Sequence, residues 1–399
     1  MSRHLWRRHA PLSVGRSVWG SGRSWRVLLI AAGLCAAAAA VTGIAFAAFD
    51  PAFEQPPGSP FAVGTNPHSI VMVDVNRDRK ADLVTSNVGS NNVSVLLGDG
   101  SGGFVAGVPV PVGAGPHSVA TGDFNRDKRP DLAVANSDAD TISILLGNGD
   151  GTFTAASPLT AGDGPWFIAV ADLNRDKKAD LAVSNVFSDS VSILLGDGTG
   201  SFTAATPVPV GDTPYGIAAV DLNHDKNLDL AVANQFAANV SVLLGDGEGG
   251  FSAASGSPVS VGSGPSWVAA TDLNRDRKVD LAVANQGSDN ISILLGDGSG
   301  GFASAGAPVA AGDGPTPLVA EDVNGDKRRD LVVGNIHSDN VSILLGDGQA
   351  GFTPATGSPA AVGDGPFALA VGYLNKHKRP DIATANYFSN NVTVLLNTD

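Results

Sequence analysis

The sequence predicts an all-β fold: a seven-bladed β-propeller of four-stranded antiparallel blades, the last of them completed by an N-terminal strand. A motif that begins with aspartate recurs with a period of about 50 residues, as expected for propeller blades. Its first positions are Asp74, Asp123, Asp172, Asp221, Asp272, Asp322 and, in an altered copy, Tyr373. The 50 glycines and 24 prolines among 399 residues suit many short strands joined by tight turns. In addition, the two chain ends carry complementary parts of one copy.

Each copy contains four segments with strand character, and the third copy illustrates them. The segments are "WFIAVADL", "DLAVSNV", "SVSILLG" and "SFTAATPVPV", within residues 166–210. The Asp-Gly pair in "LLGDGTGSF" marks a hairpin between the third and fourth segments. Apolar or small residues occupy both faces of the strands, so each sheet must be covered on both sides. Neighbouring copies supply that cover in a propeller.

An asparagine closes the second strand of every copy. We interpret it as a turn residue, because asparagine hydrogen-bonds nearby backbone and tolerates left-handed geometry. The seven residues are Asn87, Asn136, Asn185, Asn234, Asn285, Asn335 and Asn386.

The two chain ends predict how the ring closes. The last copy stops after its third strand, at "VTVLLNTD". The segment "FEQPPGSPFAVG", residues 53–64, aligns without a gap to "FSAASGSPVSVG", residues 251–262, which is a fourth strand. We therefore expect residues 53–63 to form the outer strand of the last blade, paired with its third strand near Val392 to Leu396.

Residues 1–49 are expected to be a targeting element, separate from the propeller domain of residues 50–399. Arginines occur at positions 3, 7, 8, 16, 23 and 26 without any acidic residue, and an apolar run follows from Val27 to Phe49. Ala45, Phe46 and Ala47 offer a small-x-small cleavage site, which favours a signal peptide. The apolar run is also long enough for an uncleaved membrane anchor. Both alternatives predict export, to a secreted or membrane-anchored form.

Charge and cysteine content limit the partners of the propeller. The formal net charge is -14, and the acid-free N-terminal segment leaves the remainder more acidic still. Such a surface repels nucleic acid and anionic membranes. We therefore expect no nucleic acid partner, membrane contact only through the N-terminal segment, and a monomer. The single cysteine, Cys35, lies in the N-terminal segment, so no disulfide stabilises the propeller.

Six copies carry the loop pattern D-x-N-x-D-x-x-x-D between the first and second strands. Calcium prefers six to eight hard oxygen ligands, and a loop with side chains at positions 1, 3, 5 and 9 and a carbonyl at position 7 can wrap one ion. The pattern predicts up to six calcium ions. The expected ligands are Asp74, Asn76, Asp78, Asp82, Asp123, Asn125, Asp127, Asp131, Asp172, Asn174, Asp176, Asp180, Asp221, Asn223, Asp225, Asp229, Asp272, Asn274, Asp276, Asp280, Asp322, Asn324, Asp326 and Asp330. The seventh loop has Tyr373 and His377 in place of two carboxylates and is expected to bind no ion.

The phrases "DFNRDKRPDLAVAN" and "VSVLLGDGSGGF", with their copies, resemble FG-GAP or VCBS-type repeat β-propellers, which are related in fold to the propeller head of integrin α-subunits. The resemblance covers residues 53–399. It implies calcium in the loop between strands and a role in adhesion or ligand binding.

The loops depart from the family pattern at positions 4 and 6, where glycine is usual. Position 4 is Arg77, Arg126, Arg175, His224, Arg275 and Gly325, and position 6 is always lysine or arginine. If the backbone is left-handed there, a non-glycine residue costs about 1 kcal/mol. The cations also balance the loop carboxylates. The alternative to calcium is therefore a metal-free loop in which aspartates cap backbone amides and pair with these cations.

One position varies within the repeated frame, just after the proline that leads into each first strand. If strands alternate in direction, this position lies around one mouth of the channel, at the end opposite the calcium loops. Aromatic and histidine side chains there suit stacking on sugars or gripping a peptide. Alternatively, they plug the channel or pack between blades. The candidate ligand-binding residues are His68, His117, Trp166, Tyr215, Phe367 and, one place later in its strand, Trp267, joined by Phe187, Phe236, His337, Tyr387 and Phe388 from the loops between second and third strands.

These features favour an exported, calcium-stabilised and non-catalytic binding or adhesion module, with a glycan or a cell-surface protein as ligand. An enzyme is the second alternative, such as a polysaccharide lyase or hydrolase on a propeller scaffold. A purely structural envelope protein is the third. Glutamate occurs only at Glu54, Glu248 and Glu321, and no nucleophile motif is present, which argues against catalysis.

Overall fold

The computed structural model of the protein describes residues 50–398, and all regular secondary structure in this range is β-strand. The strands form seven antiparallel sheets, as predicted. None of the described residues belongs to a helix long and apolar enough to cross a membrane. The N-terminal targeting segment predicted for residues 1–49 lies outside the described range.

Each sheet is one blade, and blades 1 to 7 are numbered by the chain order of their inner strands. The inner strands are Pro67–Val73, Pro116–Gly122, Pro165–Ala171, Pro214–Val220, Pro265–Thr271, Pro315–Glu321 and Pro366–Gly372. The second strands are Asp82–Asn87, Asp131–Asn136, Asp180–Asn185, Asp229–Asn234, Asp280–Asn285, Asp330–Asn335 and Asp381–Asn386. The third strands are Asn92–Gly98, Thr141–Gly147, Ser190–Gly196, Asn239–Gly245, Asn290–Gly296, Asn340–Gly346 and Asn391–Asn397.

The outer strand of every blade is interrupted and consists of two short pieces that both pair with the third strand. In blade 4, for example, Ala253 pairs with Leu243 and Val259 pairs with Val240, while the residues between them leave the ladder. The pieces are Phe104–Ala106 with Val110–Pro111, Phe153–Ala155 with Leu159–Thr160, Phe202–Ala204 with Val208–Pro209, Phe251–Ala253 with Val259–Ser260, Phe302–Ser304 with Val309–Ala310, Phe352–Pro354 with Ala360–Ala361, and Phe53–Glu54 with Phe61–Ala62.

The N-terminal strand closes the ring, as the sequence predicts. Phe53 pairs with Asn397, and Phe61 pairs with Val392, both antiparallel. The amide of Thr398 donates to the carbonyl of Ala52 at 2.9 Å. Blade 7 is therefore built from both ends of the described chain, and a core cluster shared by blades 7 and 1 seals the junction.

The hydrophobic core is divided into seven clusters, each lying between two adjacent blades. The second strand of blade 3 shows why both strand faces are apolar. Leu181 and Val183 point into the cluster shared with blade 2, whereas Ala182 points into the cluster shared with blade 4. Successive side chains of a strand face opposite sides of the sheet, so a sheet packed between two neighbours needs apolar residues at every position.

The asparagine that closes each second strand does not have the predicted turn role. It lies within the strand and is fully buried, and its side-chain amide donates to the third strand. In blade 3, Nδ2 of Asn185 donates to Oγ of Ser192 at 3.0 Å. The left-handed turn residue lies four positions later, at Asn91, Asp140, Asp189, Ala238, Asp289, Asp339 and Asn390.

Candidate functional site

The alternating strand directions give the propeller two different ends. The loops between inner and second strands and the hairpins between third and outer strands share one end, here called the aspartate-loop end. The turns between second and third strands and the links from one blade to the next share the opposite end, here called the mouth end. The predicted calcium loops and the predicted ligand residues therefore lie at opposite ends.

The aspartate loops are closed by hydrogen bonds to their own backbone. In blade 1, Oδ1 of Asp74 accepts from the amide of Asp78 at 3.1 Å, and Oδ2 accepts from the amide of Arg79 at 2.8 Å. Oδ1 of Asn76 accepts from the same Asp78 amide at 3.0 Å. Positions 4 and 6 are left-handed, with φ of 62° at Arg77 and 67° at Arg79. The repeated basic residues thus occupy the conformation that glycine adopts most readily.

The aspartate at position 9 ties each loop to the third strand. Oδ2 of Asp82 accepts from the amide of Val75 at 2.9 Å, and Oδ1 accepts from the amide of Gly98 at 2.8 Å. Asp381 makes the same two bonds in the seventh loop, where the carboxylates at positions 1 and 5 are missing. This aspartate is fully buried in all seven blades, and burial raises the pKa of Asp330 to about 6. Position 9 therefore has a structural role that needs no ion.

Five loops also contain an ion pair between positions 5 and 7. The shortest joins Nζ of Lys178 to Oδ2 of Asp176 at 2.9 Å, and this hydrogen bond holds the pKa of Asp176 below its usual value. The other pairs are Lys80 with Asp78, Arg129 with Asp127, Lys278 with Asp276 and Arg328 with Asp326, at 3.1 to 3.9 Å.

The oxygen donors of these loops are of the type that calcium prefers. Between residues 50 and 398, no three acidic or histidine side chains converge closely enough to hold a metal ion. The carboxylates instead accept backbone amides and pair with cations, which is the metal-free alternative. Calcium binding in the six loops stays a prediction from the sequence.

At the mouth end, five of the six candidate ligand residues form one cluster, called the mouth cluster: His68, His117, Trp166, Tyr215 and Phe367. The rings of His117 and Trp166 stack with centroids 3.8 Å apart, and Trp166 lies 4.8 Å from Tyr215. His68 lies 4.4 Å from His117 and 5.1 Å from Phe367. These side chains come from five different blades, so the ring topology alone brings them together.

A β-bulge presents the mouth residues. In blade 3, Pro165 pairs with Asn185 and Phe167 pairs with Ser184, so Trp166 is an extra residue without a ladder partner. Bulges re-aim a side chain at the end of a strand, and they are common next to functional sites.

Trp267 does not belong to the mouth cluster. Its ring contacts Phe167 edge-on at 4.9 Å, one residue deeper along the inner strands than Trp166. The glycine of blade 4 permits this contact across the channel, because a Cβ on Gly216 would lie 3.1 Å from the backbone of Ser266 and Trp267. Trp267 also packs against the core between blades 5 and 6. Phe167 packs in turn against the core between blades 3 and 4, so this pair connects two of the clusters between blades.

Both histidines of the mouth cluster are neutral at pH 7. Burial lowers the pKa of His68 to about 4, against the opposing effect of its hydrogen bond to the backbone of His117. Nδ1 of His68 donates to the carbonyl of His117 at 2.9 Å, which fixes its tautomer. Burial also lowers the pKa of His117, and its Nδ1 is buried without a hydrogen-bond partner in the described part of the chain.

Three phenylalanines stand exposed around the mouth cluster, on the turns between second and third strands. Phe187, Phe236 and Phe388 are 65%, 74% and 55% exposed. Phe388 contacts Tyr387 at 5.0 Å, and Tyr387 contacts Phe367 of the mouth cluster at 4.8 Å. Apolar surface thus continues from the mouth cluster to the rim, which is a feature of binding surfaces.

The blades are also joined at the mouth end by clasps that the sequence analysis missed. In six of the seven turns between second and third strands, the side chain of the left-handed residue accepts the backbone amide of the link that enters the next blade. Oδ1 of Asp189 accepts from Thr213 at 2.9 Å, and Oδ1 of Asn91 accepts from Gly115 at 3.0 Å. Ala238 occupies this position in blade 4 and has no acceptor to offer. The recurrence of Asn or Asp just before the third strand was the available signal.

The mouth cluster offers flat ring surfaces that a ligand can contact. Neither mouth histidine is hydrogen-bonded to a carboxylate within residues 50–398. Among the same residues, Glu321 is the one glutamate in an ion pair, and it contacts Arg329 at 2.8 Å near the aspartate-loop end.

Solved structures similar to this chain share its fold at low sequence identity. BBS1N in complex with ARL6DN superposes with a TM-score of 0.61 at 14% identity, over 88% of this chain and 97% of that one. A protein from Bacteroides uniformis assigned as a 6-phosphogluconolactonase has a TM-score of 0.61 at 18% identity, over 77% and 88%. A lectin from Agrocybe aegerita that recognises non-reducing terminal N-acetylglucosamine has a TM-score of 0.53 at 18% identity, over 73% and 79%.

These similarities establish the propeller fold. The structures that share it include both a protein assigned as an enzyme and a sugar-binding lectin. No curated protein sequence matches the chain significantly. The FG-GAP-like repeat model matches at residues 74–134, 123–183, 184–232, 221–283, 272–333 and 322–384, which together span most of the propeller. With its seven blades and six matched repeats, the chain belongs to the FG-GAP-like repeat family of β-propellers.

Proposed function

We propose that this protein is a non-catalytic binding module that takes its ligand, a glycan or a protein of a cell surface, at the mouth end. The observation that carries the proposal is the mouth cluster: ring side chains from five blades meet at one end of the channel. The exposed side chains of Phe187, Phe236 and Phe388 enlarge the apolar area around the mouth cluster. The two neutral histidines add polar ring edges for orientation.

Export and calcium belong to the same proposal. An acid-free, arginine-rich start followed by an apolar run supports export as a secreted or membrane-anchored protein. Six loops with oxygen donors at positions 1, 3 and 5 support weak calcium binding. Calcium would then act on stability at the aspartate-loop end, and the ligand would bind at the opposite end.

The test is a binding screen of the full-length protein against a glycan array and against surface-protein extracts. Trp166→Ala should abolish every specific signal, because it removes the central ring of the mouth cluster. Tyr373→Ala is the matched control, since Tyr373 is an exposed aromatic residue (58%) on the first-to-second loop of blade 7, at the aspartate-loop end. Signals that survive Trp166→Ala but fall with Tyr373→Ala would move the binding surface to the other end.

A further inference from the structure

Basic residues are confined to one end of the propeller. Of the 25 lysines and arginines in the chain, six precede residue 50, and the remaining 19 all lie in the loops between inner and second strands. These loops belong to the aspartate-loop end. Among the described residues, the mouth end has no lysine or arginine. The basic residues lie at position 226 and within residues 77–80, 126–129, 175–178, 275–278, 327–329 and 376–379.

Eight of the nine aspartates at the mouth end form pairs at the borders between blades, and the ninth, Asp138, lies on the turn of blade 2, where its amide donates to the carbonyl of Ala114 at 3.2 Å. At the border of blades 3 and 4, Asp189 ends the turn of one blade and Asp212 lies on the link to the next, where the amide of Thr213 donates to Asp189. At the border of blades 6 and 7, the pKa of the exposed Asp364 is raised, first by the desolvation of its carboxylate and then by the charge of Asp339 and a hydrogen bond with it. The four pairs are Asp140 with Asp163, Asp189 with Asp212, Asp289 with Asp313, and Asp339 with Asp364.

The three other borders have neutral residues at both positions. They combine Asn390 with Thr65, Asn91 with Ala114, and Ala238 with Ser263. At these two positions the seven copies thus contain either two aspartates or none. The hydrogen bond to the link amide explains the aspartate of the turn, but it does not explain the aspartate of the link, because a second like charge at the same border is repelled and no lysine or arginine of this end offsets it.

Exposed phenylalanines lie beside these carboxylate pairs. Phe187 lies at the border of blades 2 and 3, where its amide donates to the carbonyl of Asp163 at 3.1 Å. Phe236 lies at the border of blades 3 and 4, on the turn whose first amide, that of Gln235, donates to the link carbonyl of Thr213 at 2.9 Å. Each of these borders therefore has one exposed phenylalanine and a pair of aspartates. At the border of blades 6 and 7, the amide of Phe388 donates to the carbonyl of Asp364 at 3.1 Å. Aromatic faces and carboxylates together attract organic cations.

We propose that the mouth end binds a lysine- or arginine-bearing peptide segment of a partner protein. The carboxylate pairs receive its cationic groups, and the exposed phenylalanines and the mouth cluster receive its apolar and aliphatic parts. This inference rests on the proposed function and names the class of its ligand. A cationic side chain is attracted by the charge of each pair, whereas a neutral glycan gains only hydrogen bonds and an anionic glycan is repelled.

The repeats themselves supply variants that should fold. The link position is Thr65, Ala114 and Ser263 in three blades, so the triple variant Asp212→Ser, Asp313→Ser, Asp364→Ser copies a residue that the fold already accepts. All three aspartates are exposed. A control with the same change in charge is Asp99→Asn, Asp197→Asn, Asp297→Asn at the hairpins of the aspartate-loop end, where blade 2 already has Asn148.

The experiment measures fluorescence polarisation of a labelled peptide of alternating arginine and leucine, with a glutamate–leucine peptide and neutral chitopentaose as comparison probes. The full-length protein should bind the arginine peptide alone, and the link triple variant should weaken binding roughly tenfold, as expected for three exposed ion pairs. The hairpin control should leave the affinity for the arginine peptide within about twofold of the wild-type value. Trp166→Ala added to the link triple variant should weaken peptide binding beyond the effect of the triple variant alone.

Other outcomes separate this inference from the proposed function. Chitopentaose binding that is lost in Trp166→Ala, without peptide binding, would overturn the cationic ligand and leave the binding module standing. Peptide binding that falls equally in the link and hairpin variants would show a general charge effect and overturn the inference. Failure of the protein to bind any probe, array glycan or surface protein would overturn both proposals.

Discussion

The imidazole of His117 stacks on the indole of Trp166, with ring centroids 3.8 Å apart and planes inclined by 24°. The two residues belong to neighbouring blades and occupy the same position after the proline of their inner strands. A third ring, that of Tyr215, continues the series on the next blade. The mouth side chains therefore hold one another in place, and the surface that they present is preorganised for a ligand.

Replacing Trp267 and replacing Trp166 with alanine should change the stability of the protein by different amounts. Trp267→Ala should lower the free energy of unfolding by about 3–5 kcal/mol, because the indole packs both on Phe167 and on the core between blades 5 and 6. Trp166→Ala should lower it by less, since one side of that indole faces the mouth, and should act mainly on ligand binding. Urea unfolding of both variants measures the difference. Equal losses of stability would mean that the mouth cluster is part of the core.

Substitutions at two positions of one aspartate loop should distinguish a structural carboxylate from a calcium ligand. Asp180→Asn should destabilise the protein by about 1–3 kcal/mol in calcium and in chelator alike, because an amide nitrogen would face one of the two backbone amides of Leu173 and Gly196. Asp176→Asn should lower the thermal midpoint only in millimolar calcium, since its bonds are to the exposed Lys178. Differential scanning fluorimetry in both buffers gives the comparison.

Asp381→Asn is the control for these loops. The seventh loop lacks the carboxylates at positions 1 and 5. The stability lost in Asp381→Asn should therefore be the same with and without calcium. If calcium leaves the thermal midpoint of the wild-type protein unchanged at all concentrations, the loops are closed by their own amides and cations alone.

A stabilising substitution is expected at the border of blades 4 and 5. Ala238 is left-handed, with φ of 51°, and lacks the side-chain acceptor that Asn91, Asp189 and their equivalents offer to the next link. Ala238→Asn should raise the free energy of unfolding by about 1 kcal/mol, because asparagine tolerates this conformation and its Oδ1 can accept the amide of Gly264. Asn91→Ala is the reverse substitution and should lower stability by a similar amount. A destabilised Ala238→Asn protein would show that the clasp adds nothing.

The repeat made most of the fold predictable, since seven copies of one strand pattern leave few alternatives to a propeller. The closing strand was predictable too, because residues 53–64 match an outer strand elsewhere in the chain. The contacts of Trp267 were not, because the periodicity assigns a residue to a strand but not to a depth along the channel. The clasps were missed for a similar reason: Asp189 and Thr213 belong to different blades and meet only when the ring is assembled.

The buried histidine of blade 1 predicts a pH dependence of stability with a definite sign. The folded-state pKa of His68 is lowered from 6.5 to about 4. Above pH 6.5 the imidazole is neutral in both states and contributes no pH dependence. Between pH 6.5 and 4 the unfolded chain takes up a proton that the folded protein does not, so stability falls as the pH falls, and the loss is complete below about 4.

His68→Phe copies Phe367 of blade 7 and removes the titrating ring. It also removes the hydrogen bond to the carbonyl of His117, but the neutral ring makes that bond at every pH above the folded-state pKa, so its loss lowers the whole stability curve and not its slope in that range. The buried aspartates at position 9 have raised pKa values and act in the opposite direction, but they are the same in both proteins and cancel in the difference. Relative to the variant, the wild-type protein should lose about 2 kcal/mol between pH 7 and pH 4.5, measured by urea unfolding at each pH. Parallel stability curves would mean that His68 accepts a proton in the folded state, and that the mouth becomes cationic in acid.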